Sequence, residues 1–389
     1  MKNSNASKLS FWKIVAAVIM ICGLYSSYIR FTKGLGASTH LSDSIPWGLW
    51  IGFDFLGVGL AAAGFTIAVM VHVFNIHKFE PIVRPAILTA YIGYTLVVLL
   101  LIIDLGRPQN FWHPLVMWNL HSVMFEITWC VICYSAILTL EFAPVVLEKY
   151  NLTAPIKILR KISIPVVILG VIFSTLHQSS FGSLYLIVPG RLYPLWYSTL
   201  LPVNFYISCI AAGLSMIIFE SYLNARAFNL GLRLDILSGL AKIVLYVLII
   251  GFLVRITDMI ITGKTPFLFL PRTETYMFYA EVIVGTFIPV YLLSQAKYRK
   301  SRMWLYVISI FTLSGFVLNR INVAVTGLVA SSKTSYFPSF DEISITMMLV
   351  VLGMWAFKLV STKFPVFVEL ENLKEEKLPE DSREMILSE

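Results

Sequence analysis

Ten mostly apolar stretches, each long enough to cross a bilayer, divide this chain and leave it few ways to fold. They run over 11–29, 49–74, 86–103, 120–140, 162–179, 200–223, 239–261, 276–294, 303–325 and 342–361. A hydrocarbon core is spanned by about 20 residues of α-helix, and lipid offers no hydrogen-bond partner to an open backbone. Composition agrees: 58% of the 389 residues are hydrophobic and 13% are charged, which is not the balance of a water-soluble chain. The expected fold class is an all-α polytopic membrane protein with about ten transmembrane helices.

Charge then sets the expected topology. The net charge of +8 does not mark a nucleic-acid binder, because the basic residues lie in short segments between the apolar runs. Of the 30 basic residues, Arg30, Lys33, Arg107, Arg191, Lys264, Arg272 and Lys333 fall on one side, and Arg255 and Arg320 fall within runs. The other 21 share the side of both termini, which the positive-inside rule places in the cytoplasm. The expected location is a bacterial cytoplasmic (inner) membrane, crossed many times. The first run follows a basic start but is long and lacks a small-residue cleavage site, so it is expected to stay as an anchor helix. The segment 369–389 is rich in charge and poor in apolar residues, the mark of a solvated tail.

Self-similarity organises the helices between the first and the last. "AAG" at 62–64 returns at 211–213 and Asn75 returns as Asn224, both offset by 149. Asp104 is followed by Asp258 at 154, and Glu126 by Glu281 at 155. The expected organisation is an anchor helix and outer loop over 1–48, a four-helix bundle over 49–198, a second over 199–330, a last transmembrane helix over 331–368, and the tail. An even number of helices per unit makes the copies parallel, related by an axis along the membrane normal.

Chemistry is expected where charge is placed in lipid, since a carboxylate or Arg near the bilayer centre costs at least about 2.5–3.5 kcal/mol. The charged or polar groups so placed are Asp54, Asp104, Arg107, His121, Glu126, His177, Gln178, Arg255, Asp258, Glu281 and Arg320. Tracking helix direction puts Asp104, Arg107, Trp112, His113, His121 and His177 on the extracytoplasmic face. Spacing allows structural pairs as well, Asp104 with Arg107 and Arg255 with Asp258, each three residues apart. Trp47, Trp50, Trp112 and Trp196 fit an interfacial belt.

The histidines and cysteines narrow the cofactors. A dihaem cytochrome needs two His pairs at matched depths, and only His121 and His177 lie at similar depth, so no haem is expected. Cys130 and Cys133 lie in an apolar run with only Cys22 and Cys209 elsewhere, so no metal or cluster site is expected. No phosphate-binding loop, dinucleotide fingerprint or nucleophile elbow stands in a suitable setting. A quinone fits what remains: its ring takes an apolar slot, its carbonyls take donors such as His or Arg, and its two protons can be relayed by a His and a carboxylate. A secondary ion or solute transporter built on two parallel repeats is the competing class.

Order and spacing of several motifs make the chain similar to a known family. They are "IPWGLWIGFDF" (45–55), "VRPAIL" (83–88), "IDLGR" (103–107), "NLHSVMFE" (119–126), "LEFAP" (140–144), "LHQSSFGSL" (176–184), "YPLW" (193–196) and "YFPSFDE" (336–342). The chain resembles the NrfD/PsrC-like integral membrane subunits, and within them the HybB branch of periplasmic nickel–iron hydrogenases. The resemblance implies a menaquinone or ubiquinone as substrate, a quinone site near the extracytoplasmic face of the first bundle, and no haem or metal in this chain. It implies as partners a periplasmic ferredoxin-like iron–sulfur subunit and a catalytic subunit of hydrogenase type, with membrane lipid around them. Membrane subunits of polysulfide reductase and multihaem cytochrome complexes are related alternatives. Carried to this sequence, the site residues are Asp104, Arg107, His121, Glu126 and His177, lined by Trp47, Gln178 and Ser180. His121 or His177 would meet a quinone carbonyl, Asp104 and Glu126 would pass protons, and Arg107 would hold Asp104 ionised or face the iron–sulfur partner. Coupling to proton translocation is a further expectation. Tyr193 departs from the pattern, standing where His is expected.

Overall fold

The computed structural model describes residues 11–188, 190–332 and 335–367, so the expected tail over 369–389 and the first ten residues lie outside the described part. Apart from an isolated bridge between Ser42 and Ile45, the described residues hold no β-structure. Ten long helices follow one another: α1 (Phe11–Lys33), α2 (Leu49–His72), α3 (Val83–Asp104), α4 (Val123–Lys149), α5 (Thr153–Leu186), α6 (Leu201–Phe228), α7 (Leu234–Ile261), α8 (Thr273–Ser294), α9 (Arg302–Ser332) and α10 (Phe340–Lys363). Among the described residues, nine of these, all but α5, are helices long and apolar enough to cross a membrane. The helix α5 takes the place of the fifth expected run, at 34 residues and about 51 Å. The chain is a multi-pass, all-α membrane protein.

Helix ends follow local chemistry. Ser122 caps α4 by accepting the Phe125 N–H at 3.3 Å. Ser339 and Glu342 form a reciprocal capping box at the start of α10. Asn75, Asn151 and Asn229 adopt left-handed conformations at the ends of α2, α4 and α6, on one side of the molecule. It is Asn229, and not the expected Asn224, that plays the part of Asn75, because the turn geometry fixes the match rather than the spacing.

Two closed rings result. α2 packs on α3 and α5, and α4 closes the square against α3 and α5. In the same way α6 packs on α7 and α9, and α8 closes the second square. Helix starts at Leu49, Val83, Val123 and Thr153 recur at Leu201, Leu234, Thr273 and Arg302, offsets of 152, 151, 150 and 149 residues. The rings meet where α6 lies on α2, and there the two Ala-Ala-Gly stretches face each other: a β-carbon on Gly213 would stand 2.8 Å from the Ala63 nitrogen. Lipid gives helices little hydrophobic reason to associate, so small residues that allow close backbone approach take over that task.

The first and last helices pair with each other and cover the first ring. α1 packs on α10, and Ser26 donates to Asp341 at 2.7 Å. Ile345, Met348 and Leu349 of α10 form one buried cluster with Trp50 of α2 and Leu100 and Ile103 of α3. Arg30, 2% exposed, donates to the carbonyls of Ile103 at 2.8 Å and Leu105 at 2.5 Å, closing the end of α3. The Tyr336 hydroxyl donates to Glu342 at 2.5 Å and accepts the Leu49 N–H at 2.8 Å, so the loop before α10 is tied to the start of α2. Burial, reinforced by the Glu342 carboxylate, pushes the Tyr336 phenol well above its usual range.

Candidate functional site

The last turns of α5 carry "HQSSFGSLY", and helical spacing aims His177, Gln178, Phe181, Leu184 and Tyr185 into the first ring, all buried. His177 shares a hydrogen bond between its Nδ1 and the Tyr94 hydroxyl on α3, and its ring lies 4.4 Å from that of Phe181. Phe55 on α2 packs against Phe181 at 4.6 Å and Tyr185 at 5.9 Å, which brings the neighbouring Asp54 to the same interior. Asp54 is fully buried and within electrostatic reach of Tyr94 and Asp104.

Several of these buried groups have no partner. Both carboxylate oxygens of Asp54, Nε2 of His177, both amide atoms of Gln178 and the Tyr185 hydroxyl make no hydrogen bond among the described residues. A buried polar group without a partner costs about 1–3 kcal/mol and a charged one more, so such a concentration marks a place completed by something besides the chain. The donor set is mixed: an imidazole nitrogen, a carboxamide and a phenol can hydrogen-bond a carbonyl, and a carboxyl can exchange a proton.

The other expected residues are distributed around this cluster. Glu126 is exposed at the start of α4 and accepts the Ser180 hydroxyl at 2.7 Å. Trp47 stands edge-on to Tyr185, with ring centroids 5.3 Å apart. Asp104 is half-buried as the last residue of α3. Arg107 and His121 lie exposed in the segment between α3 and α4, and neither side chain makes a hydrogen bond or ion pair among the described residues. Asp104 and Arg107 form no ion pair, contrary to the spacing argument, because α3 ends at Asp104 and the i,i+3 geometry is lost. Tyr193 is buried beside Phe267 at 5.9 Å, and its hydroxyl has no partner.

A second polar cluster occupies the other ring. The Glu281 carboxylate on α8 pairs with Arg255 and accepts from Asn319 at 2.8 Å, Asn322 at 2.9 Å and the Trp196 indole at 2.9 Å. Arg255 therefore reaches across to α8 instead of pairing with Asp258 one turn along its own helix. Arg320 is clasped between the rings of Phe205 at 3.8 Å and Phe316 at 4.4 Å, and donates to Ser208 at 2.9 Å. Beside these groups lies a cavity of about 120 Å³ lined by Trp196, Arg255, Asp258, Glu281 and Asn319. Both α8 and α9 pass through a π-helical turn here, over Ile283–Phe287 and Asn322–Thr326.

Sequence reasoning placed Asp54 among the intramembrane charges without assigning it to the site, and it missed Tyr94 and Tyr185. Asp54 carried a signal, a carboxylate inside an apolar run. Tyr94 carried none, for a tyrosine in such a helix is ordinary until another helix is docked on it.

Among the described residues, no group of three or more His, Cys, Asp and Glu side chains gathers to hold a metal ion. His177 is the one buried histidine of the six, and a haem with two axial imidazoles would need a second facing it, so the residues present do not fit that group.

Comparison with known proteins agrees with the motifs. The family described as polysulphide reductase, NrfD, matches residues 37–331. The probable Ni/Fe-hydrogenase 2 b-type cytochrome subunit of Escherichia coli K12 is 31% identical over 369 residues, 92% of each chain. The menaquinone reductase integral membrane subunit of Nitratidesulfovibrio vulgaris Hildenborough is 25% identical over 397 residues, 93% of this chain and 92% of that one. A selenate reductase subunit of Mesobacillus selenatarsenatis is 30% identical over 235 residues, covering 53% of this chain and 54% of its own. With two rings of membrane helices and a match over most of its length, this chain belongs to the NrfD family.

Proposed function

We propose that the chain is the quinone-reactive membrane subunit of a multisubunit oxidoreductase, exchanging electrons between a periplasmic iron–sulfur partner and menaquinone or ubiquinone. The observation that carries this is the group of unpartnered buried atoms on Asp54, His177 and Gln178 inside the first ring. A quinone supplies a redox couple of two electrons and two protons. His177, held at Nδ1 by Tyr94, presents Nε2 to a carbonyl oxygen, and the Gln178 amide can donate to a carbonyl as well. Asp54 holds or releases a proton at its carboxylate, and Glu126, tied to Ser180, stands between the cluster and the outer end of α4. The rings of Phe55, Phe181 and Trp47 wall the site with apolar surface and keep water out. Names of the relatives, a hydrogenase b-type cytochrome subunit and a menaquinone reductase subunit, support the redox reading and, for the donor, a hydrogenase. In this reading the membrane is the bacterial inner membrane and both termini are cytoplasmic.

The test is quinone reduction by the complex purified with its native partners. Bound quinone in the extract, together with loss of reduction in His177→Ala while the complex stays assembled, is the expected result. A partner-free protein without quinone, whose variants alter ion flux, would make it a transporter.

Coupling to proton movement is a second reading, favoured by carboxylates in the other half of the membrane. Both oxygens of Glu141 are buried without a partner beside a cavity of about 360 Å³, and Glu220 is bonded on one oxygen by Thr89 at 2.5 Å. Quinone reduction in sealed vesicles should then change the internal pH, and an unchanged pH and potential would end this reading.

A further inference from the structure

Three lysines from three parts of the chain converge at the membrane end opposite the His177 cluster. Lys78 comes from the turn before α3, Lys242 from α7 about 12 Å beyond its first residue, and Lys300 from the connection between α8 and α9. With Asp235, Ser238 and Gly239 they line a cavity of about 310 Å³. All three lysines are exposed and none is in an ion pair among the described residues, although Asp235 lies among them. The Lys78 ammonium rests near Gly239, 3.9 Å from where a β-carbon would stand. Counting Asp235, the pocket carries a charge of about +2, with no further counter-charge among the described residues that line it.

The helix face below the pocket identifies what would enter it. Asp235, Gly239, Lys242, Tyr246, Ile249 and Leu253 follow one another at spacings of four and three, and so lie on one face of α7. Tyr246 is 63% and Leu253 54% exposed, so the charged pocket runs without a break into an uncovered apolar stripe. A free anion would use the lysines alone, whereas an amphiphile with a phosphate head would use both. We infer that this pocket binds the headgroup phosphate of an anionic phospholipid, with an acyl chain lying along Tyr246, Ile249 and Leu253. A lysine beside an anionic lipid surface is worth about 1 kcal/mol, about fivefold in affinity each.

The full chain with its native partners, stripped of lipid in detergent, is titrated with dioleoyl phosphatidylglycerol, dioleoyl phosphatidylcholine or inorganic phosphate. Melting temperature and bound mass by native mass spectrometry are read together. The wild type should gain stability and retain lipid mass with phosphatidylglycerol only, and Lys78→Gln, Lys242→Gln and Lys300→Gln combined should weaken that binding about a hundredfold. The same three changed to Arg should keep it, which separates lost charge from misfolding. A control with Lys149→Gln, Lys157→Gln and Lys161→Gln should respond as wild type. Equal responses of the Gln triple and the wild type, an equal loss in the control, or the same shift with inorganic phosphate would each overturn the proposal.

Discussion

The two rings hold comparable polar inventories and treat them in opposite ways. In the second, Glu281 is met by Arg255, Asn319, Asn322 and Trp196, so the carboxylate is fully partnered by the chain itself. In the first, Asp54, Nε2 of His177 and Gln178 wait unpartnered, and Glu126 has a single donor, Ser180. Depth explains part of the contrast. Glu126 is the fourth residue of α4 and Glu281 the ninth of α8, which sets the latter about 7.5 Å further into its helix. A carboxylate at the helix mouth can remain wet, but one a turn and a half deeper must be paired or neutralised. A repeat can thus keep its helices while leaving their polar groups free to become either a lock or a site.

The largest effect that could break this contrast is in the first ring. Asp54→Asn and His177→Ala should each lower quinone reduction by about a hundredfold or more, with assembly intact, because each removes a group suited to proton transfer or carbonyl contact. Unchanged turnover in both would mean that the unpartnered atoms are not the site. Next, Arg255→Ala in the second ring strands a buried carboxylate and should cost about 3–5 kcal/mol of stability, read as a lower melting temperature, while turnover per assembled complex stays near wild type. Turnover lost in the folded variant would show that the lock also works in catalysis. Trp196→Phe removes one donor from Glu281 and should cost about 1–3 kcal/mol, against about 1 kcal/mol for Ser180→Ala beside Glu126, both by thermal unfolding.

The smallest effect belongs to the seal over the first ring. Tyr336 keeps its proton more tightly in the fold than in the unfolded chain, so its contribution is intact below the ordinary phenol value of about 10 and is lost as pH rises beyond it. Tyr336→Phe should remove that alkaline loss along with about 1 kcal/mol of stability, seen by comparing melting temperatures at neutral and alkaline pH. An identical alkaline loss in the variant would assign it to other groups.

The architecture was legible because a bilayer imposes a length and an apolarity that can be read directly. The candidate site was legible only where chemistry is rare in lipid: His177, Gln178 and Glu126 stood out by residue type. Tyr94 and Tyr185 did not, since their burial depends on how α3 and α5 dock, and no period in the sequence records that. Pairings inferred from spacing failed for a related reason. Arg107 lies past the end of its helix, and Arg255 prefers a deeper carboxylate on a neighbouring helix to the one three residues away. In the second case tertiary placement outweighed local geometry.

The pairing of α1 with α10 also orders events in time. A chain emerges from the ribosome with its first segment leading, so the ring holding the unpartnered groups is threaded into lipid before the helix that covers it has been made. Trp50 and the start of α2 stay uncovered until Glu342 and Met348 have been made. A chain cut short anywhere before α10 would thus carry an unsealed first ring, and the making of α10 becomes a condition for closing it.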